Sequence, residues 1–117
     1  MKHIIHVDNS DFFRKLMKSF LSEKGLECEG FEKGEDAVNA VSNGQASFVI
    51  TGLELPDMSG EELLKRLITL PNKTPVIVVT SNDVTSKENH YKSLGVRDII
   101  MKSDDWKAEL RKILKFD

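Results

Sequence analysis

Residues 48–60, FVITGLELPDMSG, decide the fold of this chain. The stretch opens with four apolar or β-branched residues that end at Thr51, and a turn containing Pro56 and Gly60 follows. This pattern is typical of a buried strand that runs into a loop at the carboxyl edge of an open α/β sheet, where ligands and chemistry gather. The residue at that junction is Gly52, which has no side chain. The stretch therefore predicts a functional edge whose central position is empty.

Short apolar runs alternate with longer amphipathic segments five times along the 117 residues. The predicted strands cover residues 4–7, 26–31, 46–51, 76–80 and 98–101, and the intervening helices fall at about 10–24, 34–43, 60–70 and 83–94, with a last one containing Trp106. Strands separated by helices of this length must be parallel, with helices on both faces of the sheet. The sequence predicts one α/β domain over residues 1–117, a (βα)5 doubly wound five-stranded parallel sheet in three α/β/α layers.

The helical segments carry stripes that predict their buried faces. In the first helix, Phe12, Phe13, Leu16, Met17, Phe20 and Leu21 recur at helical spacing. The third helix carries the outward pairs Glu61–Lys65 and Glu62–Arg66, four residues apart. The fourth helix is polar, so the sequence leaves open whether it is a solvated face or a surface for a partner.

Composition excludes several classes of function. The 17 basic and 19 acidic residues are interspersed, which gives a formal net charge of −2 and no basic stripe for nucleic acid. No apolar run is long enough to span a membrane, and the N-terminal stretch is too short for a secretion signal. The single cysteine, Cys28, is expected to be a buried and inert thiol. We expect a cytoplasmic protein that binds neither nucleic acid nor membrane.

Four strand ends carry the residues that identify a family. The segments VDNS (7–10), FVITGLELPDMSG (48–60), PVIVVTS (75–81) and IIMKS (99–103) occur in this order. Together they resemble the receiver domain of bacterial two-component response regulators, and the resemblance covers the whole chain. It implies a flavodoxin-like receiver fold and a place in phosphorelay signal transduction.

The resemblance also implies roles for single positions. In this family an Asp after the third strand accepts a phosphoryl group, two acidic residues after the first strand help hold Mg²⁺, and a Thr and a Lys contact the phosphoryl group. Asp8 matches the first acidic position, and Asn9 stands where the direct metal ligand is expected. Thr80 and Lys102 match their counterparts, whereas Gly52 falls on the phosphoacceptor itself.

These departures affect both the chemistry and the conformational switch. Glycine offers no nucleophile, so aspartyl phosphate is not expected at Gly52. Two of the family's three carboxylates are missing, so we expect weak or absent Mg²⁺ binding, no other metal or cofactor, and no catalytic residue. The switch pair would be Thr80 and Ile99, but Ile99 replaces the family's aromatic residue in the fifth strand. We expect a protein that is not an enzyme.

Several nearby side chains carry further expectations. An ion pair between Asp8 and Lys102 is expected to neutralise the site without metal. Asp57 is expected to point away from the site. Glu54 is expected to be a solvated loop side chain, with a surrogate acidic group as the alternative, and His6 a partly buried histidine with its hydrogen bonds satisfied.

The sequence thus predicts a pseudo-receiver, a phosphorylation-independent protein-interaction module. The partner is expected on the face of the fourth helix, fifth strand and fifth helix, with Tyr91, Ile99 and Trp106 as candidate contacts, although core packing is the default for Trp106. One alternative is a receiver phosphorylated elsewhere, for example at Glu54. Another is an ordinary receiver engineered at position 52, which the parallel departures at Asn9 and Ile99 disfavour. A nucleotide-binding flavodoxin-like enzyme is disfavoured because VDNSDFF contains no glycine.

Overall fold

The computed structural model describes residues 2–44 and 46–115. Strands and α-helices alternate along the chain as β1 (His3–Val7), α1 (Asp11–Glu23), β2 (Glu27–Phe31), α2 (Gly34–Asn43), β3 (Phe48–Thr51), α3 (Gly60–Ile68), β4 (Val76–Thr80), α4 (Glu88–Ser93), β5 (Asp98–Met101) and α5 (Trp106–Leu114), with a 3₁₀ turn at Thr85–Lys87 before α4. The predicted (βα)5 order is confirmed, and the strand bounds differ from the expected ones by no more than two residues.

All strand pairs are parallel, in the order β2-β1-β3-β4-β5. The order reverses between β1 and β3, so Val7 pairs with Thr51 and the residues that follow both strands lie side by side. One core cluster joins α1 and α5 to one face of the sheet, and a second cluster lies on the face covered by α2, α3 and α4. This is the flavodoxin-like three-layer arrangement expected from the sequence.

Local signals explain where the helices begin and end. Ser10 accepts a hydrogen bond from the amide of Phe13 at the start of α1, and Ser59 accepts one from Glu62 at the start of α3. Gly25 follows α1 with a φ of 76°, a conformation that glycine adopts without strain. Within the described ranges, no helix is long and apolar enough to cross a membrane.

The fourth helix is shorter than expected. The sequence predicts a helix over residues 83–94, but α4 covers six residues and is preceded by the 3₁₀ turn. Its first residue has no side-chain cap, and Tyr91 is its one buried residue. A polar segment with so little apolar surface gains little from packing, so its helix stays short.

Two further expectations from the stripes are corrected. Phe12 belongs to the predicted apolar stripe of α1, but it is 75% exposed because it lies at the edge of the buried face. The Glu61–Lys65 pair is present at 3.3 Å, whereas Arg66 pairs with Glu35 of α2 instead of Glu62.

Candidate functional site

The five residues matched to the receiver site meet at one small cavity on the carboxyl edge of the sheet. The cavity has a volume of about 30 Å³ and is lined by Asp8, Asn9, Gly52, Leu53, Glu54, Val79, Thr80, Ser81 and Lys102. A volume of this size holds water or a small ion at most. The prediction that strand ends would gather these side chains is therefore met by the geometry.

Asp8 is held from three sides. Its Oδ1 accepts a hydrogen bond from the amide of Ser10 at 2.9 Å, and its Oδ2 lies 2.9 Å from Nζ of Lys102. The guanidinium of Arg14 donates to the Asp8 carbonyl at 2.6 Å. Asp8 is 2% exposed, so these contacts replace water almost entirely. The expected Asp8–Lys102 ion pair is present.

Lys102 is positioned by both its backbone and its side chain. Its amide donates to the carbonyl of Thr80 at 2.7 Å, which ties the end of β5 to the end of β4. Its ammonium also lies 4.0 Å from the centre of the Phe13 ring, a cation–π contact that adds to the ion pair with Asp8. The sequence analysis missed Phe13 as a member of the site, and its helical position carries no signal for this role.

Gly52 lies directly under the Asp8 carboxylate. Its amide donates to the Val7 carbonyl at 2.8 Å, which continues the pairing of β1 with β3. A Cβ added at this position would lie 3.2 Å from Asp8 Oδ2 and 3.7 Å from the Val7 carbonyl oxygen. A side chain here would therefore require Asp8 to move by a few tenths of an ångström.

A hydrogen-bonded strap joins the loops that follow β3 and β4. Thr80 Oγ1 accepts from the amide of Asn82 at 3.1 Å, and the Asn82 side-chain amide donates to Glu54 at 2.8 Å. Glu54 is exposed at the cavity and bonds to Asn82 rather than to Lys102. The Thr80 hydroxyl, which was expected to act as a switch, is thus hydrogen-bonded within the loop that follows β4.

Asp57 points away from the cavity, as predicted. It accepts hydrogen bonds from the amides of Gly34 at 2.8 Å and Glu35 at 3.0 Å, at the start of α2. These bonds, the one to Glu35 first, hold the pKa of Asp57 below its usual value. The residue before α2, Lys33, supplies no cap of its own, so the β3–α3 loop provides it.

His6 differs from the expectation of a partly buried, satisfied histidine. It is fully buried, and neither ring nitrogen has a hydrogen-bond partner within residues 2–44 and 46–115. Its ring packs edge-on against Phe13 at 5.7 Å. Burial lowers the pKa of His6 to about 4, and the nearby Lys102 and Arg14 add to this effect while Asp8 opposes it.

The aromatic residues proposed as partner contacts are largely inside the molecule. Tyr91 and Trp106 are each 8% exposed, and Trp106 packs against Phe13 and Phe20. Core packing of Trp106 is confirmed, and the role of Tyr91 and Trp106 as partner contacts stays a prediction that their burial does not favour. Ile99 is partly buried against the cluster under α2, α3 and α4.

The donor set fits a divalent cation poorly. Both carboxylate oxygens of Asp8 already have partners, Asn9 offers only a neutral amide, and Gly52 offers no side-chain oxygen. In the described part of the chain, no group of three or more His, Cys, Asp or Glu residues is arranged to hold a metal ion.

The Cys28 thiol is half-buried, and burial raises its pKa to about 11.

A parallel sheet with this strand order and with Asp, Thr and Lys at its carboxyl edge defines a receiver-like α/β protein. The response regulator receiver domain matches residues 4–115, and the chain belongs to that family. It is therefore a receiver domain of two-component signalling.

Individual relatives resemble the chain at modest sequence identity. The chain is 28% identical over 99 residues to the sensor histidine kinase RcsC of Escherichia coli K12, covering 85% of this chain and 10% of that protein. It is 25% identical over 118 residues to the transcriptional regulatory protein PcoR of Escherichia coli, covering 98% of this chain and 52% of the relative. The chain thus spans from a tenth to about half of these relatives.

Solved structures agree with this assignment. A CheY-like receiver domain protein from Methanospirillum hungatei superimposes with a TM-score of 0.89 at 25% identity, over 98% of this chain and 92% of that one. The response regulator TrrA of Thermotoga maritima, solved with Mg²⁺ and BeF, gives 0.85 at 27% identity over 98% of both chains.

Proposed function

We propose that this receiver domain is a pseudo-receiver that forms no aspartyl phosphate and acts as a phosphorylation-independent protein-interaction module. The observation that carries the proposal is Gly52 at the end of β3, in the same cavity as Asp8, Thr80 and Lys102. A receiver needs a carboxylate at this point to attack a phosphoryl donor. In this role it acts in the cytoplasm, is not an enzyme and uses no metal cofactor.

The charge balance of the site supports the same role. The Lys102 ammonium is paired with the buried Asp8 at 2.9 Å, so it needs no phosphoryl group for compensation. Thr80 Oγ1 is bonded to the Asn82 amide and joined through Asn82 to Glu54. The loops at the site are therefore held in one arrangement without ligand.

A receiver phosphorylated at another residue is the second candidate. Glu54 favours it, because this carboxylate is exposed and lines the cavity. Its bond to Asn82 holds it away from Lys102, and its side chain is one carbon longer than that of the family's nucleophile. An ordinary receiver engineered at position 52 would also fail to accept a phosphoryl group at Gly52. In that case, a carboxylate restored at position 52 would make phosphorylation fully active.

Acetyl phosphate and Mg²⁺ followed by intact mass spectrometry test the proposal. The chain is expected to gain no phosphate, while Gly52→Asp serves as the positive control and gains it slowly, because Asn9 still lacks the metal-binding charge. Gain of a phosphate by the unaltered chain, lost again in Glu54→Gln, would establish the second candidate. Rapid and complete modification of Gly52→Asp with tight Mg²⁺ binding would indicate an ordinary receiver altered at one position.

A further inference from the structure

A second cleft lies beside the receiver cavity, between the start of α3 and the segment that leads into α4. Its volume is about 370 Å³, which is within the range of small-molecule sites. Leu53, Val84 and the ring of Tyr91 supply apolar surface to it. None of the five residues matched to the receiver site lines this cleft, so that site does not account for it.

Tyr91 is the residue of this cleft that indicates a ligand. It is 8% exposed, yet its hydroxyl makes no hydrogen bond with any residue in 2–44 and 46–115. That hydroxyl is not among the unpartnered polar atoms that are fully enclosed, so it opens into the cleft that Tyr91 lines. A tyrosine buried to this extent usually has a partner for its hydroxyl. The phenol is therefore placed to bond to a molecule in the cleft.

Two opposite charges without counter-ions also line the cleft, the Asp83 carboxylate and the Lys87 ammonium. Among the described residues, neither forms an ion pair, whereas Glu61 is already paired with Lys65 at 3.3 Å. Asp83 Oδ1 accepts from the hydroxyl of Thr85 at 2.7 Å and from its amide at 3.1 Å. These bonds hold the pKa of Asp83 below its usual value, so the carboxylate is ionised at neutral pH. The cleft thus offers one positive and one negative group to a ligand.

The walls of the cleft are fixed by contacts within the chain. His90 Nε2 lies 2.6 Å from Glu61 Oε1, which joins α4 to the start of α3. The Asn82 side chain bonds to Glu54 at 2.8 Å, and this bond holds the loop after β4. A site that is already formed loses little conformational freedom when a small molecule enters it.

We propose that this cleft binds a free α-amino acid with an apolar side chain. The carboxylate of the ligand pairs with Lys87 and accepts a hydrogen bond from the Tyr91 hydroxyl, while its ammonium pairs with Asp83. The apolar side chain packs on Leu53 and Val84. A phosphate ester or another polyanion is disfavoured, because Asp83 would repel it. The inference goes beyond the proposed interaction role and does not depend on it.

Titration with L-leucine, followed in the ¹H–¹⁵N spectrum, tests the proposal. Saturable shifts are expected at residues 59–61 and 82–91, with a Kd of about 1 mM or tighter. Two analogues of the same carbon skeleton each lack one charge: 4-methylpentanoate has no ammonium and 3-methylbutylamine has no carboxylate. Each is expected to bind about tenfold more weakly, because one charged contact is lost.

Single substitutions assign each contact. Tyr91→Phe removes only the hydroxyl and should weaken L-leucine binding about tenfold. In Lys87→Gln, L-leucine should bind no more tightly than 3-methylbutylamine, and in Asp83→Asn no more tightly than 4-methylpentanoate. Lys92→Gln changes an exposed cation of α4 outside the cleft and should leave the affinity unchanged. Far-ultraviolet circular dichroism checks that each variant is folded.

Several results would overturn the amino-acid site. They are no saturation by L-leucine at about 10 mM, equal affinity for the amino acid and its singly charged analogues, or an affinity unchanged by the three cleft variants. Tighter binding of inorganic phosphate at the same residues would overturn it as well. The pseudo-receiver role is tested separately by the mass of the chain after acetyl phosphate, so either proposal can fail while the other stands.

Discussion

A carboxylate at position 52, in place of the hydrogen of Gly52, would change the charge balance around Lys102. In this chain one buried carboxylate, Asp8, faces one ammonium at 2.9 Å. A carboxylate at position 52 would bring a second negative charge next to Asp8, whose Oδ2 already lies 3.2 Å from the position of an added Cβ. The charges of Asp8 and Lys102 therefore balance each other only while position 52 has no carboxylate. Removal of the Asp8 carboxylate should cause a measurable loss of stability.

Asp8→Ala is expected to destabilise the fold. The change leaves the Lys102 ammonium without its partner and also removes the acceptor for the Ser10 amide. Loss of one partner from a buried pair costs about 3–5 kcal/mol, and partial exposure of Lys102, whose side chain is 22% accessible, lowers this to roughly 2–3 kcal/mol. Thermal melting should show a fall in Tm of roughly 10 °C.

The exposed pair of Lys112 with Glu109 provides the matched control. These charges lie 3.7 Å apart with side chains 76% and 47% accessible. Lys112→Ala should change the free energy of unfolding by less than about 0.5 kcal/mol. Equal effects of the two substitutions would contradict a structural role for the Asp8 pair.

His6 predicts a specific loss of stability in acid. Its pKa is about 4 in the folded chain, whereas the unfolded chain has the ordinary value of 6.5. Below pH 6.5 the unfolded chain binds a proton that the folded chain does not, so the free energy of unfolding falls by up to about 1.4 kcal/mol per pH unit until pH 4 is reached. Urea unfolding of the wild type and of His6→Leu from pH 7.5 to 4.5 measures the difference.

The comparison with His6→Leu removes the shared background. Glu35, Asp57 and Glu61 also have lowered pKa values, so both proteins lose stability as these carboxylates become protonated. The wild type should lose more, and the gap should widen steadily between pH 6.5 and 4.5. Parallel pH profiles for the two proteins would show that His6 is not buried as a neutral ring.

At the scale of elements, the β3–α3 loop acts as the N-terminal cap of α2. Asp57 accepts from the amides of Gly34 and Glu35, and Met58 packs so close to Gly34 that an added Cβ would lie 2.8 Å from its sulfur. The bidentate contact of Arg66 with Glu35 extends this connection to α3. The loop beside the emptied site is therefore fixed by α2 and α3.

Asp57→Ala should weaken α2 and the loop together. Loss of a capping side chain costs about 1 kcal/mol, because amides at the start of the helix lose their acceptor. Urea unfolding measures this loss, and amide hydrogen exchange should quicken at Gly34 and Glu35. Asp57→Asn keeps an acceptor oxygen and is the matched control, so its effect should be smaller; equal exchange rates in all three proteins would argue against the cap.

Sequence patterns predicted some elements well because their signals are local. The serines before α1 and α3, the apolar strands and Gly25 all act within a few residues, so the order of elements along the chain and most of their bounds followed from them. The length of α4 did not, because a helix with one buried residue depends on its surroundings. The cap from Asp57 joins residues 23 positions apart, a distance at which no local pattern exists.

At the scale of the whole molecule, the strand ends gathered as predicted, whereas partners within the site did not follow from the sequence. Parallel strands place their carboxyl ends at one edge whatever the side chains, so Asp8, Gly52, Thr80 and Lys102 had to meet. Packing decided the rest. The Phe13 ring contacts the Lys102 ammonium, and the Asn82 side chain donates to Glu54. The ring of His6 is buried without a hydrogen-bond partner among the described residues. These three features depend on packing and not on sequence spacing.

This arrangement predicts that the molecule has no ligand-driven switch. A signal from the site to the face of α4, β5 and α5 would need a phosphoryl group or its mimic to draw Thr80 from its bond with the Asn82 amide. Ile99 packs against the cluster under α2, α3 and α4 and has no polar group to follow such a movement. A phosphoryl mimic shifts the chain toward a second conformation only if it binds that conformation more tightly than the first.

Beryllofluoride and Mg²⁺ should therefore leave the ¹H–¹⁵N spectrum of the chain unchanged at residues 84–101. Gly52→Asp is the matched comparison, because its added carboxylate gives beryllium and Mg²⁺ an anionic oxygen, and its spectrum should shift near the site. If the unaltered chain shows saturable shifts that spread from Lys102 through β5 to α4, a two-state element survives without the acceptor. The constitutive arrangement proposed from Asp8, Lys102 and the Glu54–Asn82 strap would then be wrong.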